Sequence, residues 1–537
     1  MNQITAMVSM LHESAASSSA TRLFRGEPVL RWTLKRLARS KRLSSLALLC
    51  WEDQLQTAGP AAAEAGAYVL AKGPRVTLPQ VQSIAAARRW SDGWRGGLLS
   101  TCDFDLGFYA PWAAELLERV EAQSALLIDP AAALVDAGLI DDLIEHSEKN
   151  IDAPICFTPA APGLGSVLLR RSLLERLSAA KMHAGRLLHY LPDQVSREPL
   201  ASQWCAPVPT AVARTTHRFK LDSTRQINRL SAAMESLNGQ LVSSNAEQIV
   251  RKMDAWQTID TLPREIVLET TTTRNTRPIF CPKTHVDIRR GPLALDAARG
   301  LIKSLSALDD TRLTLAGVGD PLLYDDLFKL LEMAAEVDTI SVHVETDLLG
   351  VSPDTIARLG ASAVDVVSVH VPALRPETYQ QVMGIGGYEK VLENVRTLLA
   401  SRGGKGVPIL APTFVKCMQN NGEMEPWYDQ WLSAVGCAVI RGPSDYGGLI
   451  PDVAVADMAP PRRRPCARLN SRLTILSDGR IVSCEQDVLG KQTLGKLGED
   501  SLTEVWQRRA AALRKSHEQS KWAEHPVCAN CREWHRP

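Results

Sequence analysis

The segment Thr271-Thr-Thr-Arg-Asn-Thr-Arg-Pro-Ile-Phe-Cys281-Pro-Lys283 is the most informative stretch of the chain. It continues an apolar, β-branched run, Glu265–Thr270, that has the length and composition of a buried strand. Barrel proteins built from strand–helix units carry their functional groups in the loops that follow such strands. The segment has one cysteine, Cys281.

The surrounding region, residues 265–450, repeats strand and helix patterns. The strands are predicted at Glu265–Thr270, Arg312–Leu315, Thr339–Val344, Val366–Val371, Ile409–Val415 and Ala438–Ile440. Helices are predicted between them, at Leu293–Leu305, Leu323–Ala334, Pro353–Leu359 and Tyr388–Ala400. Repeated units of this length predict a parallel barrel or partial barrel.

Residues 1–235 also alternate strands with helices, which predicts an α/β sheet. A helix is expected at Val29–Leu37, and strands at Ser44–Cys50, Gly97–Cys102 and Ala125–Ile128. The remaining divisions are a helical linker over residues 236–264, a Pro- and Arg-rich linker over residues 451–465, and a cysteine-bearing tail over residues 466–537. Within the second linker, Arg462–Arg464 is a run of like charge that is expected to be solvated.

The tail contains four cysteines in a pattern that suits metal binding. Cys466 and Cys484 flank Asp478-Gly479, a hairpin signal, and Cys528-Ala-Asn-Cys531 supplies two thiolates from one turn. Four converging thiolates suit either a tetrahedral zinc ion or a fully ligated iron–sulfur cluster.

The tail resembles the SPASM or twitch extension of radical S-adenosylmethionine (SAM) proteins, which has the form C-x(9–15)-G-x4-C followed by C-x-x-C. The segment from Leu494 to Trp506 matches that family too. The resemblance implies one auxiliary 4Fe–4S cluster on Cys466, Cys484, Cys528 and Cys531, since the sequence ends six residues after Cys531.

The barrel region resembles the radical SAM family itself. The family's opening loop commonly reads T-T-x-C-N-x-R-C-x-x-C-P, and Arg274 and Pro278 stand where its first two cysteines belong, so only Cys281 remains. The segment Gly317-Val-Gly319-Asp320-Pro321 resembles the family's SAM-binding loop, in which glycines let the main chain approach the ligand. The resemblance therefore implies a scaffold with its catalytic cluster lost, or rebuilt.

Two further residues bear on the rebuilt alternative. His285 lies four residues after Cys281, and Cys417 follows a later strand of the same barrel, so a mixed Cys/His metal site is one reading. The other reading is that His285 is an ordinary surface histidine and that Cys417 is a small, buried, hydrophobic side chain.

The first region resembles the nucleotidyltransferases that include the cytidylyltransferases of acidic-sugar pathways. The match includes Gly26-Glu-Pro-Val-Leu30, Thr101-Cys-Asp103-Phe-Asp105 and His217–Asp222. The resemblance implies Mg²⁺ at Asp103 and Asp105. The phosphate loop of the family is rich in glycine, whereas residues 12–20 have no glycine and contain an acidic residue, so the loop is expected to bind triphosphate poorly.

The amino-acid composition bears on whether the protein binds nucleic acid or a membrane. Lys plus Arg number 61 and Asp plus Glu 60, so no nucleic-acid surface is expected. The longest apolar runs are too short for a membrane helix, and no signal peptide is evident, which predicts a cytoplasmic protein with reduced thiols.

These observations predict a degenerate fusion that acts in binding, assembly or electron transfer beside an intact radical SAM or sugar-pathway enzyme. The alternatives are an active radical SAM enzyme with a remodelled cluster site at Cys281, and a nucleotidyltransferase active only in its first domain.

Overall fold

The computed structural model describes residues 3–14, 18–192, 198–237, 239–256, 260–337 and 339–536. The chain forms two compact units, Met1–Thr258 and Ile259–Pro537. The finer division predicted from sequence stays a prediction, and residues 238 and 257–259 of its first linker lie outside the described residues.

The first unit is an α/β sandwich. Its strands are β1 Ile4–Ser9, β2 Leu23–Phe24, β3 Glu27–Pro28, β4 Ser45–Cys50, β5 Tyr68–Ala71, β6 Ser124–Ile128, β7 Ile155–Phe157 and β8 Val167–Arg170. Its helices are α1 Val29–Leu37, α2 Leu55–Glu64, α3 Pro79–Arg89, α4 Ala110–Arg119, α5 Ala137–Lys149, α6 Arg171–Ala180, α7 Thr210–Arg214, α8 Thr224–Ala233 and α9 Ala246–Asp254.

Six of these strands form one sheet in the order β5-β4-β1-β6-β8-β7. Strands β5, β4, β1 and β6 are parallel, and β8 is antiparallel to both of its neighbours. Alternate residues of β1 pack into two cores, Met7 on one face and Ala6 and Val8 on the other, because side chains alternate along a strand. Helices therefore cover both faces of the sheet, as a sandwich requires.

One predicted strand of this unit is wrong. Residues 97–102 contain a 3₁₀ turn, Leu98–Ser100, instead of a strand. Gly96 and Gly97 have φ angles of +99° and +91°, and Leu99 has +59°, which breaks an extended run despite its apolar composition.

The second unit contains the predicted partial (β/α) barrel. Its strands are β9 Glu265–Leu268, β10 Thr311–Leu315, β11 Ile340–Thr346, β12 Val366–His370, β13 Ile409–Val415, β14 Val439–Arg441, β15 Arg472–Ile475, β16 Arg480–Val482 and β17 Thr493–Lys496. Its helices are α10 Pro282–His285, α11 Leu295–Leu305, α12 Leu327–Ala335, α13 Pro353–Ala361, α14 Pro376–Met383, α15 Tyr388–Ser401, α16 Met424–Val435, α17 Leu502–Glu504 and α18 Ala510–Glu518.

The nine strands form one sheet in the order β14-β13-β12-β11-β10-β9-β15-β16-β17. Strands β9 to β14 are parallel and lie in chain order, which is the arrangement of a partial barrel. The predicted hairpin is confirmed as β15 and β16, with Gly479 in its turn at φ +85°. Strand β15 also pairs in parallel with β9, so the cysteine-bearing tail extends the barrel sheet.

Across the described ranges, none of the helices combines the length and apolar character that crossing a membrane demands.

Candidate cofactor sites

The carboxyl ends of the barrel strands bring together five charged or polar side chains. Asp347 follows β11, His370 ends β12 and Arg441 ends β14, while Glu345 lies near the end of β11 and Arg274 in the loop after β9. Parallel strands present their carboxyl ends at one edge of the sheet, so these residues meet there. We call Arg274, Glu345, Asp347, His370 and Arg441 the barrel ion network.

Arg274 and Asp347 form the centre of the network. The Arg274 Nε and Nη2 atoms donate to the two Asp347 carboxylate oxygens at 2.8 and 2.5 Å. The two side chains are 7% and 1% exposed, so the pair is desolvated. Thr276 donates a further hydrogen bond to the same carboxylate. Burial alone would raise the pKa of Asp347, but Arg274 and His370 outweigh it and hold that pKa well below its usual range.

His370 connects this pair to a second one. Its Nδ1 lies 2.9 Å from Asp347 Oδ1, and its Nε2 lies 2.7 Å from Arg441 Nη2. Because arginine only donates, Nε2 accepts and Nδ1 carries the proton, which makes the ring neutral. Arg441 also contacts both oxygens of Glu345, at 3.1 and 3.2 Å. The network thus satisfies its charges internally.

The loop predicted to bind SAM packs closely against Glu269 and Thr271, the residues that follow strand β9. A Cβ on Gly319 would lie 2.1 Å from the Thr271 carbonyl oxygen, and one on Gly317 would lie 2.7 Å from Glu269. Asp320 accepts from Thr346 and from the Asp347 N–H, each at 2.9 Å. Burial and the neighbouring Asp347 raise the pKa of Asp320 to about 6.

Pro321 is buried and opens a 3₁₀ turn, Pro321–Leu323. A cavity of about 10 Å³, enough for roughly one water molecule, lies beside this loop. It is lined by Arg274, Gly317, Gly319, Asp320, Glu345, Thr346, Asp347 and His370.

Cys281 lies beside this network. It is 3% exposed, its Sγ is 3.8 Å from Arg274 Nη1, and its thiol faces the Val318 carbonyl at 3.7 Å. His285 is exposed, with its Nε2 2.8 Å from the Ile279 carbonyl oxygen, and Cys417 is buried. Over the described ranges, the structure does not assemble these residues, or any other three His, Cys, Asp or Glu side chains, as ligands of a single metal ion.

The four cysteines of the tail do lie near one another. Cys466 is within electrostatic range of Cys484, Cys528 and Cys531, and Cys528 is within range of Cys484 and Cys531. Cys484 and Cys528 are each 8% exposed, and burial raises the pKa of the Cys528 thiol to about 12. The Glu533 N–H donates to the Cys531 sulfur at 3.3 Å. By residue type, four thiols gathered in this way can ligate either a 4Fe–4S cluster or a tetrahedral zinc ion.

The predicted magnesium ligands of the first unit have separate partners. Asp105 is fully buried and contacts His183 Nδ1 at 3.0 Å and the Gly185 N–H at 2.9 Å. Asp103 accepts from Lys220 Nζ at 3.0 Å, and Lys220 also pairs with Asp129. The two carboxylates therefore do not form a shared Mg²⁺ site in this structure.

Lys220 occupies the place of a cation between two carboxylates. Its side chain has no exposed surface. Burial lowers the pKa of Lys220, but Asp103 and Asp129 outweigh burial and raise it, so the ammonium stays charged. Sequence reasoning missed both Lys220 and Asp129, although an aspartate directly after the predicted strand Ala125–Ile128 was a signal for Asp129.

In the loop that would bind phosphate, a side chain of the same loop takes up the backbone N–H of Ser19. The Glu13 carboxyl group accepts from the Ser19 N–H at 3.1 and 3.2 Å and from the Ser19 hydroxyl at 2.9 Å. Burial, then Asp129, raises the pKa of Glu13 to about 8. Residues 15–17 of the predicted loop lie outside the described residues.

Comparison with known proteins adds distant relatives. An uncharacterized protein of Treponema pallidum (strain Nichols) is 27% identical over 233 residues, which span 42% of this chain and 64% of the relative. Among solved structures, BtrN in complex with AdoMet and 2-DOIA is 17% identical, with a TM-score of 0.37, over 51% of this chain and 94% of its own. A cytidylyltransferase from Leptospira borgpetersenii is 13% identical, with a TM-score of 0.33, over 48% of this chain and 98% of its own.

Two family models match within the second unit. Residues 277–413 match the Radical SAM superfamily, and residues 466–532 match the SPASM iron–sulfur cluster-binding domain. Both matches confirm the resemblance found in the sequence, and together they imply 4Fe–4S clusters and SAM as cofactors. The chain therefore contains a radical SAM superfamily domain followed by an iron–sulfur cluster-binding SPASM domain.

Proposed function

We propose that this protein holds one 4Fe–4S cluster on Cys466, Cys484, Cys528 and Cys531 and does not cleave SAM. It acts in binding, assembly or electron transfer beside another enzyme. The observation that carries this proposal is a buried ion pair at 2.8 and 2.5 Å between Asp347 and Arg274, which stands where the radical SAM family has its first cluster cysteine.

The residues of the barrel do not fit the implied SAM and its cluster. A cluster with one open iron needs three thiolates, and the loop has Cys281 alone. SAM-sized ligands occupy pockets of about 300 Å³ or more, whereas the cavity beside Gly317–Asp320 is about 10 Å³. Its two glycines are accounted for by the close approach of Thr271 and Glu269.

The residues of the tail do fit a 4Fe–4S cluster. Cys466 is within electrostatic range of the other three cysteines, and all four lie on the β-hairpin flanks or in the C-x-x-C turn. The sulfur atoms of Cys484 and Cys531 each accept a backbone N–H. Such a cluster supplies one-electron redox chemistry when bound. The chain's own part is to bury the thiols and to orient them.

The first unit supports the same proposal. In its candidate site, Lys220 lies between Asp103 and Asp129, where a metal ion would be expected. The Glu13 carboxyl group accepts the Ser19 N–H, where a phosphate would be expected. A protein with both sites filled from within is suited to binding a partner. We infer that the partner is an intact radical SAM enzyme or a sugar-pathway enzyme, by analogy with the two folds that are fused here.

The first test is to purify the wild type and the Cys528→Ala/Cys531→Ala variant anaerobically and to count iron and sulfide per chain. The second test is to incubate the wild type with SAM and dithionite and to assay the formation of 5′-deoxyadenosine. We expect about four irons that are lost in the variant, and no 5′-deoxyadenosine. About eight irons, with half retained in the variant, or 5′-deoxyadenosine formation, would establish the active radical SAM alternative. If the purified chain contains zinc and no iron, the four cysteines of the tail form a structural zinc site, which overturns the cluster proposal. Pyrophosphate release from a nucleoside triphosphate would point to the first unit instead.

A further inference from the structure

The arginine run Arg462–Arg464 does not behave as one solvated cluster. Arg462 and Arg464 are exposed, as the sequence predicts, but Arg463 between them is half-buried. It lies three residues before Cys466, so whatever it contacts is tied to the segment that carries the first thiol of the tail.

Arg463 contacts the C-x-x-C turn directly. Its Nη2 donates to the Cys528 carbonyl oxygen at 2.6 Å, and its Nη1 lies 3.4 Å from the Ala529 carbonyl oxygen. The guanidinium also stacks over the Trp522 ring, 5.0 Å from its centroid, and is within electrostatic range of Cys528 and Cys531. These three contacts fix the planar group, so its charge stays within electrostatic range of two of the four thiols.

Two buried donors near the cysteine-bearing segments have no partner in the described part of the chain. One is Nε of Arg463, and the other is Nε2 of His517. His517 is 1% exposed, and its Nδ1 accepts the Cys466 N–H at 3.4 Å, so the neutral ring carries its proton on Nε2. A buried donor without an acceptor is unfavourable, and the sulfur atoms of an anionic cluster would be suitable acceptors.

We propose that Arg463 sets the reduction potential of the auxiliary cluster. The inference rests on the proposed function, since it requires the cluster to be present. One-electron reduction adds one negative charge to the cluster and makes or breaks no covalent bond. A fixed guanidinium beside two ligands stabilises the more negative, reduced form, so Arg463 raises the potential. Arg463 is a positioning residue as well, because it joins the Cys466 segment to the C-x-x-C turn.

The test compares Arg463→Gln with Arg464→Gln, the exposed neighbour that carries the same charge. The full-length proteins are purified anaerobically, their iron and sulfide are counted, and the cluster is titrated with dithionite while its reduced form is followed by electron paramagnetic resonance. At a fixed solution potential, we expect Arg463→Gln to lower the ratio of reduced to oxidised cluster at least tenfold, which equals 59 mV for one electron. We expect Arg464→Gln to change that ratio less than threefold.

The outcomes separate the two proposals. A wild type without iron overturns the proposed function, whereas iron-replete Arg463→Gln with an unchanged potential overturns only the role of Arg463. If Arg463→Gln does not retain its cluster, Arg463→Lys keeps the charge: a ratio within threefold of the wild type supports the inference, and a tenfold fall overturns it.

Discussion

Replacing Asp347 by Asn tests whether the barrel ion network holds the second unit together. The substitution keeps the size of the side chain and removes its charge, which leaves the Arg274 guanidinium, 7% exposed, without its bidentate partner. Breaking a buried ion pair in this way costs about 3–5 kcal/mol, and we expect a loss of that size. The exposed pair Arg358–Glu332, at 2.9 Å with side chains 57% and 66% exposed, provides the matched control, and Glu332→Gln should cost at most about 1 kcal/mol.

The assay is native-state hydrogen exchange in increasing urea, read by mass spectrometry on peptides that contain strand β11, Ile340–Thr346. This reports the free energy of opening of the second unit without assuming that the whole chain unfolds in one step. Because the pKa of Asp347 is lowered in the folded protein, its contribution is present above the unfolded-state pKa, about 3.9, and is lost as the pH falls below that value. A loss under about 1 kcal/mol at neutral pH would refute the reasoning.

Three further predictions concern single side chains. Because the pKa of Glu13 is raised to about 8, the first unit should lose stability as the pH rises from about 4.5 to 8, and Glu13→Gln should remove this slope in melts recorded across that range; an unchanged slope contradicts it. Lys220→Met should destabilise the first unit by about 3–5 kcal/mol in urea, because two buried carboxylates lose their shared cation, and a neutral effect would show that the ammonium is not needed. Gly319→Ala should lower the melting temperature of the second unit, since its Cβ would lie 2.1 Å from the Thr271 carbonyl oxygen, whereas Gly386→Ala, with nothing within 4 Å, should not; equal effects would refute the close-approach argument.

Much of the fold follows from the sequence because its strands are short, apolar and bounded by helices. The prediction of Ile409–Val415 matches the structure, and the other barrel strands differ by a few residues at their ends. The failure at residues 97–102 has a local cause: two glycines with positive φ turn an apolar run into a 3₁₀ turn, and composition does not reveal that.

The pairing of strand β15 with strand β9 could not be predicted from the sequence either. The hairpin signal at Asp478-Gly479 predicts which residues turn, but not which edge of which sheet the first strand joins. That choice depends on contacts between residues more than 200 positions apart, such as the pairing of Leu473 with Ile266. Local patterns do not contain this information.

The candidate sites show the same division. The sequence predicts the four cysteines of the tail as a ligand set from their residue type and spacing, together with the resemblance to SPASM domains. The resemblance shows Arg274 in the place of a cysteine, but the sequence does not show that Arg274 pairs with Asp347, since the two lie 73 positions apart. Likewise, Lys220 reaches Asp103 across 117 positions. The sequence therefore predicts which groups are missing, and the structure identifies what takes their place.

The most direct test of the central claim is an iron-edge anomalous difference map from crystals grown anaerobically with SAM. We expect one iron peak among Cys466, Cys484, Cys528 and Cys531, with the Arg274 guanidinium on Asp347 and no SAM density. A second iron peak beside Cys281, or SAM against Gly317–Pro321, would contradict it and make this barrel a working radical SAM site.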